Sequence, residues 1–170
     1  MDIGLIVLRL IHIVTGVFWA GGSFVMLSHV VPAADASGPA GGQFMQRLMQ
    51  RGLSRALLGA GVFNVLAGIL LYLRVSGGLQ LGWITSPVGL TFTIGALAAL
   101  AALIYGGAVT APAGSRMARL GQEIQTGGKP PTPEQMAQIG TLQNAMVQGA
   151  RVNVALLAIA VIAMAIARYV

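Results

Sequence analysis

The amino-acid sequence predicts an all-α fold, a transmembrane four-helix bundle running up and down, and three observations carry that reading. Of 170 residues, 56% are hydrophobic and only 8% charged, against roughly a quarter charged in an ordinary soluble domain. The apolar residues gather into four runs, at residues 3–31, 53–75, 87–111 and 147–168. Each matches the length of about 20 residues that a helix needs to cross a bilayer. The connections between them leave no room for a separate soluble unit, so residues 1–170 form a single integral membrane domain.

The first span sets the pattern. On a helix, Arg9, His12, Thr15, Gly16, Trp19, Ser23 and Met26 fall on one stripe, while Val7, Leu10, Val14, Val17, Phe18 and Val25 cover the other side. The stripe is expected to face protein and the remainder lipid. The run follows no basic segment and no small-residue cleavage site comes close behind it, so it is expected to stay in the chain. Residues 32–42, rich in Ala, Gly, Ser and Pro, read as a flexible connection at the membrane surface. Residues 43–55 read as an interfacial lead-in to the second helix, with Phe44, Met45, Leu48 and Met49 apolar and Arg47, Arg51 and Arg55 along one face toward lipid phosphates.

In the second span Asn64 lies near the middle, with Ala60, Gly61, Ala67 and Gly68 on the same face. Small residues at that spacing let a neighbouring helix or a flat cofactor come close, and packing alone accounts for them. Ser86 before Pro87 is a helix start, cap then proline at the first helical position. The third span follows, with Pro112 as a potential kink. Thr132-Pro133-Glu134-Gln135 opens the last helix with the elements of a capping box. No breaker follows, so this helix would be roughly 55 Å long against a bilayer core of about 30 Å. Its first turns must project, and Met136, Ile139, Leu142 and Met146 give them an apolar stripe to pack on the projecting ends of the second and third helices.

The net charge of +6 comes from basic residues near the ends of the spans, the distribution that topology and anionic headgroups select, so no nucleic acid is expected as partner. Arg47, Arg51 and Arg55 flank the first connection, and Arg116, Arg119 and Lys129 the third. By the positive-inside bias these connections are cytoplasmic and both termini lie outside, in a multi-pass protein of a bacterial-type inner (plasma) membrane. The chain has no cysteine, which removes disulfides, thiolate metal sites and thioether-attached haem. The acidic residues, Asp2, Asp35, Glu123 and Glu134, all lie outside the predicted spans, which argues against a carboxylate proton relay. No nucleophile triad, carboxylate pair, phosphate loop or metalloprotease motif is present.

An ionisable side chain inside a span points to a functional site, and His12 is the first candidate. A neutral imidazole in a helical bundle is a usual axial ligand of non-covalent haem b. The inward faces add Asn64 from the second helix, Thr93 or Gly95 from the third, and Asn153, Ala160 and Met164 from the fourth. Arg9, one turn from His12, could pair with a propionate, and Trp19 belongs to the same stripe. The plain alternatives are that His12 bonds a neighbouring carbonyl or hydroxyl and that Arg9 snorkels to the outer interface. His29 is about 25 Å of helical rise from His12, too far to share one iron. Met164 at the depth of His12 would give a Met/His pair; five-coordinate iron and a ligand from a second protomer are the other arrangements. Copper is the competing cofactor, since Met26 and His29 are three apart and Met45, Met49, Met117, Met136 and Met146 gather on the cytoplasmic side. A third reading is a cofactor-free scaffold or subunit of a larger membrane complex.

The stretch Leu8-Arg9-Leu10-Ile11-His12-Ile13, continuing to Phe18-Trp19-Ala20-Gly21-Gly22-Ser23-Phe24, resembles the first helix of a group of small four-span bacterial membrane proteins. The group includes the HemJ-type protoporphyrinogen oxidases and the CopD-type copper-resistance domains. Arg151-Val152-Asn153, leading into an Ala/Ile-rich helix, is similar to the end of those chains. The resemblance to HemJ-type members implies that His12 serves haem b, and it leaves a haem-dependent oxidoreductase as one activity. Two family features are absent: Leu27-Ser28 stand where Pro-Arg is found, and the intramembrane lysine has no counterpart, Lys129 being the only lysine.

Overall fold

The computed structural model describes residues 2–128 and 130–170, and every regular element among them is helical. In chain order these are α1 (Ile3–Ala36), α2 (Gly38–Gln50), α3 (Leu53–Val75), α4 (Leu81–Ile84), α5 (Pro87–Gly127) and α6 (Pro133–Tyr169). Among the described residues, four helices, α1, α3, α5 and α6, are long and apolar enough to cross a membrane. The chain is thus an all-α four-helix bundle of the multi-pass membrane class, with α2 an added amphipathic segment and α4 a single turn.

The helix starts follow their local chemistry. The Asp2 carboxylate accepts from the Leu5 N–H at 3.1 Å, and the Ser86 hydroxyl accepts from the Gly89 N–H at 3.1 Å with Pro87 at the first helical position. At α6 the capping box is complete: the Thr132 hydroxyl accepts from the Gln135 N–H at 3.3 Å, and the Gln135 side chain accepts from the Thr132 N–H at 2.9 Å.

The prolines do not stop the helices, which corrects the loop expected at residues 32–42. That stretch is helical on both sides of Ser37, and the chain reverses there through Gly38 at φ +57°. A proline cannot donate to the carbonyl four residues back, and its ring presses on that carbonyl. Here that carbonyl lies within a wide, π-helical turn in both cases. Met26–Val30 precedes Pro32, and Gly106–Thr110 precedes Pro112, so each helix widens by one residue and continues. A further wide turn, Val17–Gly21, has no proline after it, and nothing in the structure explains it. The lead-in expected over residues 43–55 is broken at Gly52, whose φ of +86° separates α2 from α3.

The spans pack as two pairs. The first, α1 on α3, joins residues 3–16 to the small-residue face of α3; the second, α5 on α6, is the most extensive, with Gly95 against Ala163 and Met164. Trp19 locks the pairs together in a buried core with Ala102 and Leu157. α1 meets α6 chiefly from Val17 onward, whereas its first half rests on α3. Past their most apolar stretches α5 and α6 continue as a hairpin around Ala113, Leu120 and Leu142, with Met117, Ile139 and Met146 packed on them. The expected apolar stripe of the last helix is used on α5, and Met136 remains exposed. At the opposite end Arg74 pairs with Asp2, and Trp83 lies edge-on to Tyr72 and stacks on Phe92.

Candidate functional site

His12 is placed by its neighbours rather than by its own helix. Gly68 on α3 provides the notch: a Cβ added there would stand 3.0 Å from His12 Cε1 and 3.2 Å from Nδ1. With no side chain at that position, the imidazole reaches the α3 backbone, and Nδ1 lies 2.9 Å from the carbonyl oxygen of Asn64. A carbonyl can only accept, so Nδ1 carries a proton, and in the neutral ring Nε2 keeps its lone pair. Among the described residues Nε2 has no hydrogen-bond partner. His12 as a whole is half-buried.

Asn64 returns the bond. Its buried carboxamide donates from Nδ2 to the His12 carbonyl oxygen at 2.6 Å, across Gly16, where a Cβ would come within 2.7 Å of that nitrogen. The two residues therefore form a reciprocal clasp between α1 and α3, and glycine on each helix makes room for it. A turn further on, Trp19 fills the space at Gly61, whose added Cβ would meet the indole at 2.9 Å. On the small-residue face of α3, Gly61 is thus taken up by Trp19 and Gly68 by His12. Of the two alternatives for His12 named above, bonding to a neighbouring carbonyl is what Nδ1 does.

The other candidates fall in different places. Arg9 is exposed, on the edge of the stripe rather than inside the bundle, and carries no ion pair among the described residues. Burial of an unpaired guanidinium between apolar helices would be costly, and a position a few turns from the helix start lets it snorkel. Met164 packs on Gly95, its methyl 3.1 Å from where a Cβ would be. By helical rise from the capped ends, Gly95 lies roughly 12 Å and His12 roughly 14 Å into the bundle, so Met164 and His12 share a depth on different helix pairs. Thr93 donates to the Gly89 carbonyl and bonds the Tyr72 hydroxyl at 2.5 Å, tying α5 to α3.

His29 is exposed, 6.4 Å from the Phe24 ring, and borders an apolar groove of about 480 Å³ between the end of α1 and α2. The wide turn that contains Met26 and His29 takes the three-residue spacing away from the shared face it would have on a regular helix. The described residues bring no three His, Asp or Glu side chains together in a metal-binding group. Thr110 was not singled out by the sequence pattern, yet its buried hydroxyl has no partner, as is true of Asn153 Oδ1. The only signal for it was a glycine opposite, Gly149, and Pro112 just beyond.

Comparison of the chain with family models, curated proteins and solved structures finds no match to any of them.

Proposed function

We propose that this protein binds haem b through Nε2 of His12 and acts in membrane electron transfer, haem handling or the sensing of a small ligand. The observation that supports the reading is the Nδ1 bond to the Asn64 carbonyl. It holds Nδ1 on the α3 backbone and leaves Nε2 as the ring nitrogen for a metal, the arrangement usual for metal-ligating histidines.

The residues fit an axial ligand, and they restrict where the macrocycle can lie. With Gly61 and Gly68 of α3 taken up by Trp19 and His12, the macrocycle would lie beside the first half of α1, where α6 does not pack closely. Arg9 stands one turn from His12, available to a propionate. When bound, the haem would supply one-electron chemistry or a site for a diatomic ligand. The protein's share is to hold the imidazole by Asn64 and Gly68, to close the space below it with Trp19, and to keep bulk water out with four apolar helices. A second ligand would come from Met164 after a shift of the pairs, from a second protomer, or not at all. Placement in a bacterial-type inner membrane with both termini outside belongs to the same proposal, and rests on the arginines at the α2 and α5–α6 end.

Purified protein from haem-replete cells tests the reading by absorption and metal analysis together. A Soret band with iron near one per chain or per dimer is expected. Copper without haem would transfer the site to the Met/His reading, and neither would leave a cofactor-free scaffold.

A further inference from the structure

Most hydroxyls inside the long helices turn back on their own chain. Thr15, Thr91, Thr93, Ser115, Thr126 and Thr141 each donate to the carbonyl four residues earlier. Thr110 does not. The carbonyl that would receive it belongs to Gly106, which opens the wide turn and takes the Ala111 N–H instead. The Thr110 hydroxyl is turned toward α6 and rests against Gly149, where an added Cβ would be 2.7 Å from the oxygen. From the facing helix Asn153 reaches back to Gly106, its Nδ2 3.4 Å from a Cβ placed there.

Gly106 and Thr110 on α5 thus oppose Asn153 and Gly149 on α6. The two polar side chains cross the seam within about one turn, roughly 6 Å of rise, of each other. Thr110 Oγ1 and Asn153 Oδ1 are both fully buried and both without a partner. No hydrogen bond joins them, yet each needs a partner: the hydroxyl an acceptor, the amide oxygen a donor.

We propose that this seam is a built water site, in which one water molecule accepts from the Thr110 hydroxyl and donates to Asn153 Oδ1. A molecule that both donates and accepts satisfies the two atoms at once, and its remaining proton can serve a carbonyl of the wide turn. A cation satisfies them less well. The Asn153 amide nitrogen beside Gly106 would repel it, and no carboxylate among the described residues bonds either atom. The seam is roughly 30 Å or more along α5 from Pro87, near the far edge of the bilayer core, where the projecting hairpin begins and water is at hand.

The three asparagines supply their own controls: Asn64 is buried and bonded, Asn144 is exposed, and Asn153 is the site in question. The experiment is water-edited, proton-detected solid-state NMR on the full chain in phosphatidylcholine bilayers, in sodium-free choline buffer. The Asn153 side-chain amide is expected to receive magnetisation from water nearly as fast as Asn144 and several-fold faster than Asn64. Thr110→Val should slow it toward the Asn64 rate while leaving Asn144 unchanged. Build-up at Asn153 as slow as at Asn64 in the unmodified protein overturns the proposal, as does a direct hydrogen bond from Thr110 to Asn153. A shift of the Asn153 and Thr110 signals on adding sodium would also overturn it, by assigning the site to a cation.

Discussion

At the scale of single residues, glycines decide what the polar side chains can do. Gly68 admits the His12 ring, Gly16 admits the Asn64 amide and Gly61 admits the Trp19 indole, each at a distance a methyl group would violate or strain. Gly61→Leu should therefore separate α1 from α3 and cost about 1–3 kcal/mol, the usual range for overpacking. Denaturant titration in mixed micelles would measure it, and an unchanged midpoint would remove Trp19 from the core described here. Asn64→Leu should cost about 1 kcal/mol, in the range of polar contacts between membrane helices. The loss would be of the Nδ2 bond alone, because the backbone carbonyl that receives His12 survives the substitution. The stripe of the first helix and the small face of the second were both legible in the sequence, since periodicity reports which residues share a face. That His12 would meet the Asn64 carbonyl was not, because periodicity carries no register between helices. Arg9 shares the angle of the stripe and is exposed at its edge.

At the scale of elements, the caps were readable, as were Pro87 and Pro133 at helix starts, and the path of the chain at Pro32 was not. Ser86 and Thr132 cap as their sequences indicate, and Thr132→Ala should loosen the start of α6 by about 0.5–2 kcal/mol, seen as faster amide exchange over its first turns. Glu134 sits in that first turn. Its own backbone N–H, and then the Thr132 hydroxyl, hold its carboxyl below the ordinary value of 4.5, with slight burial opposing them. Because the folded form favours the carboxylate, its contribution is fully present above the unfolded value and is lost as pH falls through the lowered one. A carbon-detected titration should place the Glu134 midpoint below the ordinary 4.5, and Thr132→Ala should raise it. Pro32 has the opposite lesson. Proline signals a helix end when the carbonyl four residues back is fixed, and a wide turn relieves that clash while the helix continues. Nothing in a linear pattern of residue types marks where a helix will widen, so the helical run to Ala36 was read as a loop.

At the scale of the whole molecule, the number of spans followed from composition, since four apolar runs of sufficient length in a chain with little charge leave few other solutions. The pairing of α1 with α3 and of α5 with α6 did not, because the lipid-facing and helix-facing surfaces are both apolar. The orientation proposed for the bundle places Ala36 and Gln125 inside and Gln80 outside. All three are exposed, and the native chain has no cysteine to confuse the result. In intact cells Gln80→Cys should react with an impermeant thiol reagent and Ala36→Cys and Gln125→Cys should not, whereas the reverse pattern would invert the topology.

The central claim, that His12 holds haem through Nε2, is tested most directly by the absorption spectrum of His12→Ala beside His29→Ala and the unmodified protein, all purified from the same membranes. His12→Ala should lose most of its Soret absorbance while inserting normally, because ligation is removed and the four apolar helices are not. His29→Ala should keep the full spectrum, its ring being exposed at the far end of α1. A His12→Ala protein with an unaltered Soret band and full haem content would contradict the account, and would leave the clasp with Asn64 as a packing contact alone.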